Sequence, residues 1–117
     1  MTVKRATRVS ERLKDELARA VRDLSDPRVE GAIVSRVEMT DDLSIARVHV
    51  RRAVGAPDAR AQKALIAGFA AASRRLRAEV GRAVGLRYTP ELRFFYDAAP
   101  DDVDRIEELL RQVERDR

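Results

Sequence analysis

Val9, Leu13, Leu17, Val21 and Leu24 recur at spacings of three and four residues, the period that lines apolar side chains along one face of a helix. The spacing predicts a helix over about residues 8–24, capped by Thr7 or Ser10 and stopped at Asp26-Pro27, because the residue before a proline is pushed out of the helical region. The period then changes to two. Ile33, Ser35, Val37 and Met39 alternate with Val34, Arg36 and Glu38, and Ala46, Val48 and Val50 alternate with Ile45, Arg47, His49 and Arg51. Thr40-Asp41-Asp42 between them is a turn signal, since short polar side chains bond their own backbone there. The two runs therefore form an antiparallel hairpin, apolar on one face and polar on the other.

Gly55-Ala56-Pro57-Asp58 breaks the pattern, with Asp58 placed to cap a following helix. From Ala59 to about Val84 the helical period returns. Leu65, Phe69, Ala72, Leu76, Val80 and Ala83 fall within roughly an 80° arc at 100° per residue. Gly68 and Gly81 mark positions where so long a helix could bend. Gly85 and Thr89-Pro90 end it. Leu92, Phe94 and Tyr96 alternate with Arg93 and Phe95 as a third strand. Val103, Ile106, Leu109, Leu110 and Val113 mark a last helix, with Asp101 after Pro100 as its expected cap. The predicted order is α-β-β-α-β-α: an α+β domain with helices on one face of a three-stranded sheet. The other face should show Arg36, Glu38, Arg47, His49, Arg51 and Arg93.

The chain of 117 residues suits a single domain, 1–117, with residues 1–7 expected to be flexible and 114–117 to fray. It has no cysteine, which removes disulfides and thiolate metal sites and fits a reducing cytoplasm. No apolar run is long enough to cross a membrane, and the first ten residues lack the apolar core of a signal peptide. The expected location is cytoplasmic.

The charge of +4 is unevenly spread. Residues 1–12 carry Lys4, Arg5, Arg8 and Arg12 against Glu11, a net +3. Residues 59–89 carry Arg60, Lys63, Arg74, Arg75, Arg77, Arg82 and Arg87 against Glu79 alone, a net +6. Residues 98–117 are net −3. A charge run on a helix is ordinarily a solvated face, but such faces interleave acids for pairing one turn away, and here Glu79 is the only acid among the bases. Segregated basic charge is the footprint of a polyanion binder, and arginine suits phosphate because its planar fork donates two parallel hydrogen bonds. Aromatic residues are only 4% of the chain, with Phe69, Phe94 and Tyr96 read as core, so base stacking has little support and binding should be electrostatic.

Catalysis has little to stand on. His49 is the one histidine and sits among the polar strand positions, where a surface role is the plain reading. Asp41-Asp42 and Asp101-Asp102 could hold magnesium, yet a turn and a helix start both favour aspartate for local hydrogen bonds. No phosphate-cradling glycine loop, nucleophile elbow or zinc pattern appears. No enzyme activity, metal or cofactor is expected.

Several stretches resemble the ribosome-binding factor A family: Arg8-Val9-Ser10-Glu11-Arg12-Leu13; Asp26-Pro27-Arg28; Val34 to Leu43 with Ala46-Arg47-Val48-His49-Val50; and, most strongly, Leu86 to Asp97, reading LRYTPELRFFYD. Together they span about residues 4–113. The resemblance implies a single type II KH-like domain. It also implies binding to the 30S subunit and its 16S rRNA in late maturation, rRNA processing, a tie to growth in the cold, and no catalysis. It places a helix kink at Ala72-Ser73-Arg74, where the alanine matches the family pattern and arginine replaces its glycine. The expected RNA-binding residues are Lys4, Arg5, Arg8, Arg12, Arg60, Lys63, Arg74, Arg75, Arg77, Arg82 and Arg87. Ribosomal proteins are further expected partners for the acidic last helix, with no membrane partner and a monomeric chain. The alternatives are a duplex-DNA binder, against which the lack of a helix-turn-helix pair counts, and a protein-interaction module.

Overall fold

The computed structural model describes the backbone of residues 2–116 and the side chains of 5–99 and 105–116. In chain order it contains α1 (Thr2–Arg22), a 3-10 turn (Pro27–Val29), β1 (Ala32–Met39), β2 (Ile45–Arg52), α2 (Ala59–Ala71), α3 (Ser73–Val84), β3 (Glu91–Tyr96) and α4 (Ala99–Arg115). The sheet order is β1-β2-β3, with β2 antiparallel to β1 and parallel to β3. A parallel pair needs a crossover, and α2–α3 supplies it. α1 lies on β1 and against α3, while α2 lies on β3 and the 3-10 turn. These three helices cover one face of the sheet, the architecture expected.

The core follows the sequence periods closely. Leu13, Leu17, Ala46, Val48, Val50, Leu65, Phe69 and Leu76 are wholly buried, and Phe69 stacks on Phe94 with ring centroids 5.3 Å apart. Asp58 accepts a hydrogen bond from Ala61 N at 2.8 Å and caps α2 as expected. Gly85 ends α3 in the left-handed region, at φ 70°, where glycine carries no steric penalty. Asp42 closes the hairpin by accepting from Thr40 Oγ1, Ser44 Oγ and Ser44 N.

Four expectations need correction. α1 begins at Thr2 rather than near residue 8, so residues 2–7 are helical and neither Thr7 nor Ser10 is a cap. Ser10 is buried instead: its hydroxyl donates to Ala6 O at 2.7 Å and accepts from Met39 N at 3.1 Å, joining α1 to the end of β1. In β1, strict alternation fails at a bulge. Val34 pairs with Val50 and Arg36 with His49, leaving Ser35 as an extra residue. The bulge reverses the phase of the strand, so Val34 is buried and Ile33 is 41% exposed.

The long basic helix is two helices, α2 and α3, broken at Ala72, within the expected kink at Ala72-Ser73-Arg74 and not at Gly68 or Gly81. Gly68 and Gly81 are instead sites of close packing. A Cβ on Gly68 would lie 2.8 Å from Val29 Cγ1, and one on Gly81 would lie 2.6 Å from Thr89 Oγ1. Finally, α4 starts at Ala99, so Asp101 falls inside its first turn. The backbone cap is Ala98, and it is the Asp97 carboxylate that accepts from Ala99 N, at 3.2 Å. All described side chains of α4 beyond Ala99 are exposed.

Candidate nucleic-acid interface

The break at Ala72 follows from its backbone. Its φ of −89° and ψ of 0° depart from helical values, and its N–H bonds back to Gly68 O and Phe69 O while its carbonyl accepts from Leu76 N. The helix thus ends and restarts within one residue, at the first position of Ala72-Ser73-Arg74. Two basic groups result in place of one continuous face: Arg60 and Lys63 on α2, and Arg74, Arg75, Arg77 and Arg82 on α3.

The structure divides the expected RNA-binding residues by what their side chains already hold. Arg77 is a strap. Its Nε donates to Pro90 O and its Nη2 to Thr89 O, each at 3.1 Å, tying α3 to the loop before β3. Arg12 is a second strap, donating from Nη2 to Ala83 O at 2.9 Å. Arg75 pairs with Glu79 one turn on, at 3.0 Å. Arg87 lies over the Tyr88 ring at 5.4 Å. Among the described residues no hydrogen-bond or ion-pair partner is seen for Arg5, Arg8, Arg60, Lys63, Arg74 or Arg82, and all six are exposed. The side chain of Lys4 lies outside the described residues.

The Arg12 strap also brings two of these groups together. Arg5, Arg8 and Arg12 are spaced three and four residues apart, so they form one stripe on α1. The bond from Arg12 to Ala83 O fixes that stripe beside the end of α3 that carries Arg82. Positive charge far apart in the chain thereby becomes one surface along α1 and α3. Nothing in local spacing marks Arg12 and Arg77 as structural, because their acceptors lie 71 and 12–13 residues away.

The remaining motif residues have structural duties. Asp26 caps the 3-10 turn and grips Arg28, with Nη2 to Oδ2 at 2.6 Å. The hydrogen bonds from Arg28 hold the Asp26 carboxyl below the usual carboxylate range. Ser35, the bulge residue, donates to Asp97 Oδ2 at 2.7 Å and lies 3.1 Å from His49 O. The Ser35 bond is the main reason the Asp97 carboxyl is also held below its usual range. Among the described residues no group of three or more His, Cys, Asp or Glu could hold a metal ion, and no helix is long and apolar enough to cross a membrane.

One feature of the open sheet face escaped the sequence reading. Phe95 is 42% exposed and stacks on His49, centroids 5.6 Å apart and planes 30° apart. The signal was present in its opposite parity to Leu92, Phe94 and Tyr96.

Comparison with known proteins is consistent along nearly the whole chain. The family model described as Ribosome-binding factor A matches residues 5–110. The protein of that name from Sorangium cellulosum (strain So ce56) is 60% identical over 111 residues, covering 95% of this chain and 90% of its own length. Its namesake from Moorella thermoacetica is 40% identical over 112 residues, 93% of this chain and 89% of its own. Among solved structures, the crystal structure of ribosome-binding factor A from Thermus thermophilus superposes with a TM-score of 0.68 at 27% identity, covering 78% of this chain and 94% of that one. A homology model of the Thermus thermophilus protein, fitted into a cryo-EM map of a complex with 30S, gives a TM-score of 0.60 at 31% identity, covering 76% and 91%.

Proposed function

The chain belongs to the ribosome-binding factor A family, and we propose on that premise that it binds the free 30S subunit through 16S rRNA during late maturation, as a non-catalytic cytoplasmic factor whose loss is felt most in the cold. The observation that carries the RNA contact is the set of exposed cations for which the described residues offer no partner: Arg5 and Arg8 on α1, Arg60 and Lys63 on α2, and Arg74 and Arg82 on α3. Such guanidinium and ammonium groups can meet phosphate without first breaking an ion pair. Arg12 and Arg77 act in this reading by holding the surface together, while Arg75 and Arg87 flank it. Contacts of this kind position a protein on RNA by shape and charge without reading sequence. The superposition on a protein fitted to a 30S complex supports the choice of subunit.

Sucrose-gradient fractionation of a lysate tests the proposal. The chain should travel with free small subunits, and recovery only in the soluble top fractions would exclude it. Replacing Arg74 and Arg82 with alanine should weaken rRNA binding and flatten its salt dependence, since each lost phosphate contact removes about 0.7–0.9 from the logarithmic slope. Arg77→Ala should instead loosen the fold.

A protein contact through α4 is supported by a separate observation. Ile106, Leu109, Leu110 and Val113 are each more than half exposed, on a segment of net charge −3, which suits a basic ribosomal protein. Deleting residues 99–117 should then reduce subunit association while binding to naked rRNA persists.

A further inference from the structure

We infer that the open face of the sheet is a second RNA surface, one that holds an unpaired base against Phe95 and its flanking phosphates on Arg47, Arg93 and Arg36. The inference rests on the reading of the chain as an RNA binder and adds a different kind of RNA, a single strand, on the sheet face opposite α1, α2 and α3.

The strand register builds the surface. Arg36, His49 and Phe95 form one row across the three strands, and Glu38, Arg47 and Arg93 form the next. Neighbouring strands lie about 4.8 Å apart, so the stacked ring of Phe95 has arginines on its own strand and on both others within a side chain's reach. α1, α2 and α3 occupy the opposite face. The inward residues Leu92 and Phe94 supply the apolar contacts of β3 to the core, so the core does not require the Phe95 ring. It stays 42% exposed, beside His49, in a setting of charge.

An aromatic ring on an open sheet can stack a base of any sequence, because every base offers a π-face. The ring pair is also preset: His49 Nε2 lies 2.7 Å from Glu38 Oε1, which fixes the imidazole under Phe95. Arg47 is exposed, and among the described residues no acid pairs with it. Among the described residues Arg93 pairs with Glu91 at 3.3 Å and Arg36 with Glu38 at 3.6 Å, Arg36 also lying near enough to act on the Asp97 carboxylate, and the four paired side chains are each about half exposed or more. Surface pairs of that kind contribute little and exchange readily for the bidentate bond that a phosphate offers a guanidinium. Of the carboxylates on this face, Glu38 and Glu91 hold Arg36 and Arg93 loosely and Asp97 is bound by Ser35, so Arg47 is left without an acid among the described residues, which favours a polyanion over a protein partner.

Fluorescence titration of the full chain tests this, using a short single-stranded RNA that carries one 2-aminopurine and a blunt RNA duplex as the two probes. The single strand should bind with quenching, as the fluorescent base stacks. Phe95→Ala should weaken that binding roughly five- to 150-fold, the range for one stacked base, and leave the duplex unaffected, while Phe95→Tyr should retain it. Arg47→Ala with Arg93→Ala should lower the single-strand salt slope by about 1.4. Circular dichroism checks that each variant is folded, and Arg47→Glu, at an exposed position, probes the same face without touching the ring. Single-strand binding unchanged in Phe95→Ala and Arg47→Glu would overturn the inference. So would loss of subunit association in those variants with RNA affinity intact, since the face would then dock protein. If the wild-type chain binds duplex RNA or small subunits but not the single strand, this inference falls and the proposed function stands. If it binds neither RNA and does not travel with subunits, the proposed function falls first.

Discussion

α1 and α4 are both amphipathic helices with apolar residues at spacings of three and four, yet they behave in opposite ways. α1 buries Leu13 and Leu17 completely against β1 and α3, and commits its polar groups to distant backbone: Ser10 to Met39 N, Arg12 to Ala83 O. α4 leaves Ile106, Leu109, Leu110 and Val113 exposed, and Arg111 and Arg115 pair within the helix, with Glu108. Two similar stripes in the sequence therefore have different meanings. One is the roof of a core. The other is an apolar face that the domain's own core does not cover, and contiguous exposed apolar residues of this kind mark contact sites.

The contrast can be broken or sharpened by measurement. The largest effect is expected for Leu17→Ala, which removes wholly buried side-chain atoms and should cost about 2–5 kcal/mol in urea unfolding. Ser10→Ala should come next, at about 1–3 kcal/mol, because it strands the Met39 N–H that now donates to the hydroxyl. Leu109→Ala, at a position 54% exposed, should change stability by no more than about 0.5 kcal/mol. A value near that of Leu17→Ala would mean that α4 packs on the domain in solution and would erase the distinction.

The smallest effect concerns Asp97, which ties the root of α4 to β1 through Ala99 N and Ser35. Its carboxyl is held below its usual range in the folded state, first by the Ser35 hydrogen bond. Its contribution is therefore present above the ordinary carboxylate pKa of about 3.9 and is lost as pH falls through the lower folded value. The difference in unfolding midpoint between wild type and Asp97→Asn should shrink as pH drops through that window. A difference that stays constant with pH would show that the bond carries no charge-dependent share.

Much of this was legible in the chain and some was not, for identifiable reasons. Element order, the hairpin and the inward set Ala46, Val48 and Val50 follow from local period. The phase of β1 does not, because the bulge at Ser35 reverses which of Ile33 and Val34 turns inward. The basic segments were visible as composition, but their division into straps and free cations was not. Arg12 and Arg77 look like any other surface arginine until a carbonyl from elsewhere in the chain arrives beside them.

By itself the sequence determined the α+β class, the helical and strand faces, the Asp58 and Gly85 caps, and the concentration of positive charge in two segments. Each depends on neighbours within a turn or a strand. The tertiary structure alone decided the pairing of the α1 stripe with α3, the open Phe95–His49 surface and the exposure of α4. These depend on groups that are distant in the chain and meet only once the sheet is assembled.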